Sequence, residues 1–166
     1  GAGILIQVPD KLLREECKDL GMTLPAEGDY GVGMTFLPQD EKARANCEKA
    51  IEDLVISEGQ SVIGWRDLPT DNSWLSDSVR EMEPFIRQIF VGRGDNCADT
   101  NAFEGKLFVI RKQSHHAISI GNLAGGEQFY ITSMSARTIC FKGMMLADRV
   151  ESYFLDLQDD RTESAL

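Results

Sequence analysis

Tyr30-Gly31-Val32-Gly33-Met34-Thr35-Phe36-Leu37-Pro38 is the stretch whose reading decides the fold. Residues 30–37 are apolar or strand-favouring, and Pro38 ends the run, so they predict a β-strand. The two-residue period of a strand places Gly31 and Gly33 on one face. That face lacks side chains, which predicts a close approach by something packed above it. Asp40 follows as a helix N-cap. Ala43, Cys47, Ile51 and Leu54 then recur as an apolar stripe of a helix running to about residue 58, where Gly59 stops it. Gly31-Val32-Gly33 is no dinucleotide fingerprint, because it lies inside a strand and lacks the third glycine.

Outward from this unit the pattern repeats. Residues 3–8 predict a strand, and Asp10 is positioned to cap a helix carrying Leu12, Leu13, Cys17 and Leu20, stopped by Gly21. Residues 62–68 predict a third strand, ended by Pro69, and residues 70–83 are polar and irregular. Residues 85–91 are extended, with Phe85, Ile89 and Val91 on one face and Ile86 and Phe90 on the other. A helix begins at Thr100 with Phe103, Leu107, Ile110 and Ala117 on its buried side, although Gly105 weakens it by about 1 kcal/mol relative to Ala. Residues 128–134 and 138–141 predict a hairpin closed by Lys142-Gly143, residues 146–154 a helix, and the chain ends in an acidic stretch. This succession predicts an α/β or α+β layered fold.

The chain has 166 residues, 27 Asp+Glu against 17 Lys+Arg, and a net charge of −10. Such a balance argues against a nucleic-acid binder, which needs a basic face. No apolar run approaches the roughly 18 residues of a membrane helix, and no charged-then-apolar leader opens the chain, although it starts at Gly1 without Met. With 42% hydrophobic and 27% charged residues the composition is that of a globular protein. Cys17, Cys47, Cys97 and Cys140 are scattered with no CxxC, which argues against zinc, an iron–sulfur cluster or a disulfide framework and predicts a reducing compartment. Cys17, Cys47 and Cys140 all read as buried structural thiols.

The remaining candidates are weak as chemistry. His115 and His116 are adjacent, so they point in different directions and read as a solvated helix end. The acidic loop from Asp95 to Asp99 departs from a calcium loop at its third and sixth positions. Arg93-Gly94-Asp95 reads as a chance tripeptide. Neither a Walker loop, Gly-x-Ser-x-Gly nor HExxH occurs. The residues alone form no complete catalytic constellation.

Six segments in order nevertheless resemble one family. Gly1-Ala2-Gly3-Ile4-Leu5-Ile6-Gln7-Val8-Pro9 is similar to the end of a TGDGAGI-type motif, and residues 30–38 to a YGVGxxFLP strand. Ile63-Gly64-Trp65-Arg66-Asp67-Leu68-Pro69 resembles a GWRxxP segment, and Lys106-Leu107-Phe108-Val109-Ile110-Arg111-Lys112 an LYxIRR helix. Phe129-Tyr130-Ile131-Thr132-Ser133-Met134-Ser135-Ala136-Arg137-Thr138-Ile139 resembles an FYIxSLSxRTI hairpin followed by Lys142-Gly143-Met144, and the remainder an FYxDLxDxRxES passage. These resemble the amino-terminal class II glutamine amidotransferase domain of glutamate synthase large subunits. The fold implied is α+β, the four-layer αββα sandwich of amino-terminal nucleophile hydrolases.

By that resemblance an amino-terminal cysteine attacks the glutamine amide, its own α-amino group (pKa about 8) serving as base, and an Asn-Gly pair holds the oxyanion. The ammonia released converts 2-oxoglutarate to glutamate in a flavin domain of the same polypeptide. FMN, an iron–sulfur cluster and NAD(P)H or ferredoxin supply electrons, in some members through a small electron-donating subunit. The resemblance puts the nucleophilic cysteine before Gly1, and the substrate-gripping arginine and Asn-Gly pair after Leu166. Residues 1–166 are therefore expected to be part of the domain, an incomplete sandwich without its start and end. No catalytic residue is expected within them, nor any cofactor, metal, nucleic acid or membrane, and no glutaminase activity of their own. The expected neighbours of the active site are Gly1, Ala2 and Gly3, together with Lys142 and Gly143. The competing expectation is a catalytically dead amidotransferase-like binding or regulatory module. The implied location is cytoplasmic, or plastid for a plant or alga.

Overall fold

A computed structural model describes residues 2–143 and 147–165. Local signals account for most element boundaries. The Asp40 side chain accepts the Ala43 amide at 2.9 Å and starts α2 (Glu41–Ser57), and Asp99 does the same for Ala102 at 2.8 Å at the head of α4 (Thr100–His115). Asp10 is instead the first residue of α1 (Asp10–Asp19) and caps nothing. Its carboxylate receives Arg14 and the Tyr30 hydroxyl, the latter at 2.7 Å, which ties α1 to the strand at Tyr30. Two further helices are short, α3 (Asp77–Arg80) and α5 (Ala147–Tyr153).

The strands are β1 (Ala2–Gln7), β2 (Tyr30–Leu37), β3 (Ser61–Asp67), β4 (Phe85–Gly92), β5 (Tyr130–Ser135) and β6 (Thr138–Gly143). They form two antiparallel sheets, one of four strands in the order β3-β4-β2-β5 and one of two strands, β1-β6. The class is thus mixed α and β with antiparallel sheets, as expected. The expected hairpin is absent in its simple form, because β5 and β6 join different sheets. Side chains replace the ladder between them: Thr132 Oγ1 donates to the Cys140 carbonyl at 2.8 Å, and the Cys140 amide donates to Ser133 Oγ at 3.0 Å. Ser135 Oγ accepts both the Arg137 and Thr138 amides and donates to Glu104 of α4, which also accepts the Ala136 amide.

Two cores follow from the period of two. One face of β2 and β4 (Val32, Met34, Ile86, Phe90) meets Ile6, Ile139 and Phe141 of the small sheet, with Leu13 and Cys17 of α1 and Val150 of α5 closing the same core. The opposite face (Leu37, Ile89, Val91) packs on Cys47, Ile51 and Val55 of α2 and Phe103, Leu107 and Ile110 of α4. The expected close approach is real. A Cβ on Gly31 would lie 2.6 Å from Leu107 Cδ1, and one on Gly33 would lie 2.7 Å from both Ile89 Cγ2 and Met134 Cε. The α2 stripe ends on Val55 and not Leu54. Beyond α4 a π-helical turn, His116–Ile120, inserts a residue and buries Ile118, leaving Ala117 exposed. Residues 70–83, expected to be irregular, contain the turn α3, which buries no side chain.

Candidate functional site

Strand register decides where the expected active-site neighbours fall. Ala2 pairs with Gly143 and Gly3 with Lys142, so the two motif pieces, 139 residues apart, meet at one end of the two-stranded sheet. Gly3 sits tightly there: an added Cβ would be 3.3 Å from the Phe141 carbonyl oxygen. Gly1 lies outside the described residues. Beside this end opens an apolar cleft of about 510 Å³, walled by Phe36, Tyr130 and Ile86 and by Leu75, Val79 and Met82 from the segment around α3. Phe36 and Tyr130 are ring neighbours at 6.4 Å, and Lys142 Nζ lies 5.6 Å from the Tyr130 ring centre.

The cleft also carries one fixed acid. Glu83 accepts the Tyr153 hydroxyl at 2.6 Å and the Asn72 side-chain Nδ2 at 2.8 Å. Burial, reinforced by the bond to Glu83, pushes the Tyr153 phenol up, so it stays a neutral donor. A cation at Lys142, a carboxylate at Glu83 and apolar walls can seat a ligand or a chain segment. They offer neither a thiol nor an aliphatic hydroxyl nucleophile, because no Cys, Ser or Thr lines the cleft among the described residues.

The cysteines are elsewhere. Cys17, Cys47 and Cys97 are buried, and burial pushes Cys17 up to about 11 and raises Cys47 as well. The Cys17 and Cys47 thiols therefore hold little thiolate near neutral pH and are poor nucleophiles. Cys140 corrects the sequence reading. It pairs with Leu5 on the outward face of the small sheet and is only half-buried, while Ile139 and Phe141 point inward. His115 is also not a solvated end. Its Nε2 accepts the Ile131 amide at 3.4 Å, and its ring lies 5.5 Å from Phe129 and 5.3 Å from Tyr130. Arg93-Gly94-Asp95 is structural: Arg93 holds Asp29 and the Cys97 carbonyl, and the Gly94 amide donates to Gln60. No group of three His, Cys, Asp or Glu side chains able to hold a metal ion occurs among the described residues.

One polar cluster escaped the sequence reading. Trp65 and Arg66 point to opposite faces of β3. Trp65 Nε1 donates to Glu52 of α2 at 2.7 Å, while Arg66, 4% exposed, forms a two-pronged pair with Asp156 at 2.7 and 2.9 Å and donates to Gln88 at 2.9 Å. Both partners lie in segments already singled out, and an arginine at an inward strand position was the available signal.

The class-II glutamine amidotransferase family model matches residues 1–166. The chain is similar to the large chain of NADPH glutamate synthase from Bacillus subtilis, 40% identical over 165 residues, covering 99% of this chain and 10% of that protein. The corresponding large chain from Azospirillum brasilense is 34% identical over 168 residues, 99% and 11% of the two chains. The chloroplastic ferredoxin-dependent glutamate synthase of Spinacia oleracea is 34% identical over 164 residues, 99% and 10%. The chain thus spans about a tenth of the length of the curated relatives it matches.

Proposed function

The chain belongs to the class-II glutamine amidotransferases, and from that premise we propose that it serves within a glutamate synthase. There the amidotransferase domain hydrolyses glutamine to glutamate and ammonia, and the ammonia converts 2-oxoglutarate to glutamate. The observation that carries this reading is the meeting of Ala2-Gly3 with Lys142-Gly143 beside the inter-sheet cleft, in a chain whose similarity to glutamate synthases extends over 99% of its length. Ala2, Gly3, Lys142 and Gly143 form the rim of the glutaminase site, and the attacking cysteine comes from outside these 166 residues. The burial and raised pKa of Cys17 and Cys47 support that division of labour.

The residues present do not fit an iron–sulfur cluster, since the four cysteines stand apart and form no cluster ligand set among the described residues. FMN and the iron–sulfur cluster belong to other parts of the polypeptide, with NAD(P)H or ferredoxin as electron donor and, for some relatives, a small electron-donating subunit. No helix among the described residues is long and apolar enough to cross a membrane; the cytoplasmic location, or plastid for a plant or alga, is proposed from the similarity to bacterial and chloroplastic glutamate synthases.

The test is a chimera in which this chain replaces the matching segment of the Bacillus subtilis large chain. Glutamine-dependent glutamate synthesis should persist within about tenfold of the parent, a barrier change of about 1.4 kcal/mol. Retention of ammonia-dependent synthesis with loss of the glutamine-dependent reaction would overturn the reading. The purified chain alone should release no glutamate from glutamine above a blank, and release above it would place a nucleophile within these residues.

A further inference from the structure

A second concavity lies on the far side of the four-stranded sheet, away from the glutaminase rim. The carboxyl-terminal half of α4, the π-helical turn and Leu54 of α2 enclose a groove of about 860 Å³. Its apolar part includes Phe108, 55% exposed, and Ile120, 68% exposed. Exposed apolar side chains gathered at a concave surface and rimmed by polar residues are the pattern of an interaction site. Its charged part is cationic: Arg111 and Lys112 line it beside Gln113, His115 and His116, and no Asp or Glu does.

That charge is the reverse of the molecule's. The chain carries −10 overall, and Arg14, Arg66, Arg87, Arg93 and Arg161 each contact a carboxylate. Arg111 and Lys112 contact none among the described residues. Arg111 donates to the Ile131 carbonyl at 3.3 Å, and Lys112 Nζ rests over the Phe108 ring at 5.4 Å. Cation and aromatic surface are therefore presented together.

We propose that this groove docks an acidic segment of a partner protein, anchored by apolar side chains on Phe108 and Ile120 and by carboxylates on Arg111 and Lys112. Complementary charge steers such a segment to a cationic groove of an otherwise anionic molecule, and the apolar floor supplies the anchor pocket. Nucleic acid and anionic membrane fit less well. Both reward long basic tracts, and a body of net charge −10 repels an extended polyanion.

The experiment is selection of a random peptide display library on the full chain, with counter-selection on the R111E/K112E variant. Enriched peptides should show about a twofold excess of Asp and Glu over the library, interspersed with apolar residues. A synthetic copy should bind the wild type at least about tenfold more tightly than the variant and weaken as added salt shortens the Debye length below about 8 Å. Phe108→Ser should weaken it comparably, and an unchanged unfolding midpoint in both variants shows that the fold is intact. An empty pool, a pool without acidic excess, or equal binding to R111E/K112E overturns the proposal. So does variant-sensitive binding to phosphatidylserine vesicles, which would assign the groove to a membrane. A dimer abolished by R111E/K112E would assign it to a second copy and overturn it as well.

Discussion

Arg66 and Asp156 bring two charges into a nearly dry interior, 90 residues apart in sequence. A buried pair contributes little net stability over an apolar filling, but removing one partner strands the other. Asp156→Asn leaves the Arg66 guanidinium with Gln88 and a Glu16 contact at 3.5 Å. It should cost about 3 kcal/mol in urea unfolding, while R66M/D156L should recover most of that loss. An Asp156→Asn cost under about 1 kcal/mol would show that the pair is solvated. His115 is the residue whose charge matters near neutrality. Burial, aided by nearby Arg111, holds its pKa below the ordinary value of about 6.5. The unfolded chain then binds the proton more readily than the folded one. The contribution of His115 is complete above about pH 6.5 and declines as pH falls through that value toward the lower folded pKa. Stability measured from about pH 7 down to about pH 5 should fall less steeply for His115→Gln, which keeps an acceptor for the Ile131 amide and does not titrate. Identical slopes for the two proteins would contradict this.

Elements show why part of the fold was legible in the sequence and part was not. The cap at Asp40, the helix start at Thr100, stops at Gly21 and Gly59, and the glycine face of β2 are local or period-two signals, and the structure keeps each of them. Asp10 misled because a capping residue and an ion-pair hub look alike until the distant Tyr30 is placed. The separation of β5 and β6 into different sheets was illegible for a similar reason. A three-residue link ordinarily means a hairpin, and only the pairing of β5 with β2 and of β6 with β1 decides otherwise. The same long-range pairing joins Gly3 to Lys142, which is why the candidate rim could be guessed as two pieces and not as one place. Ser135 is the device that lets the chain change sheets. Ser135→Ala strands the Arg137 and Thr138 amides and leaves Glu104 with the Ala136 amide alone, so it should destabilise by about 2 kcal/mol in chemical unfolding. A cost below about 0.5 kcal/mol would mean that solvent satisfies the corner.

Taken whole, the molecule is protected on one side and bare on the other. Helices α2 and α4 cover the outer face of the four-stranded sheet, whereas the outer face of β1-β6 exposes Leu5 to 67%. A two-stranded ribbon contributes little stability by itself, and unpaired edges beside an exposed leucine invite pairing with another chain. The net charge of −10 opposes that association by repulsion between copies, and the repulsion is screened by salt. It also vanishes near the pI of about 4.6. The two tendencies predict a definite pattern for the purified chain. Light scattering should show association that grows with ionic strength at neutral pH and grows again as pH falls toward the pI. Leu5→Lys adds a charge at the centre of the bare face without touching the inward Ile4 and Ile6, and should return most of the material to monomer at matched salt. A monomer indifferent to salt, with one sharp cooperative thermal transition, would show instead that the two-stranded sheet is stable with its outer face open.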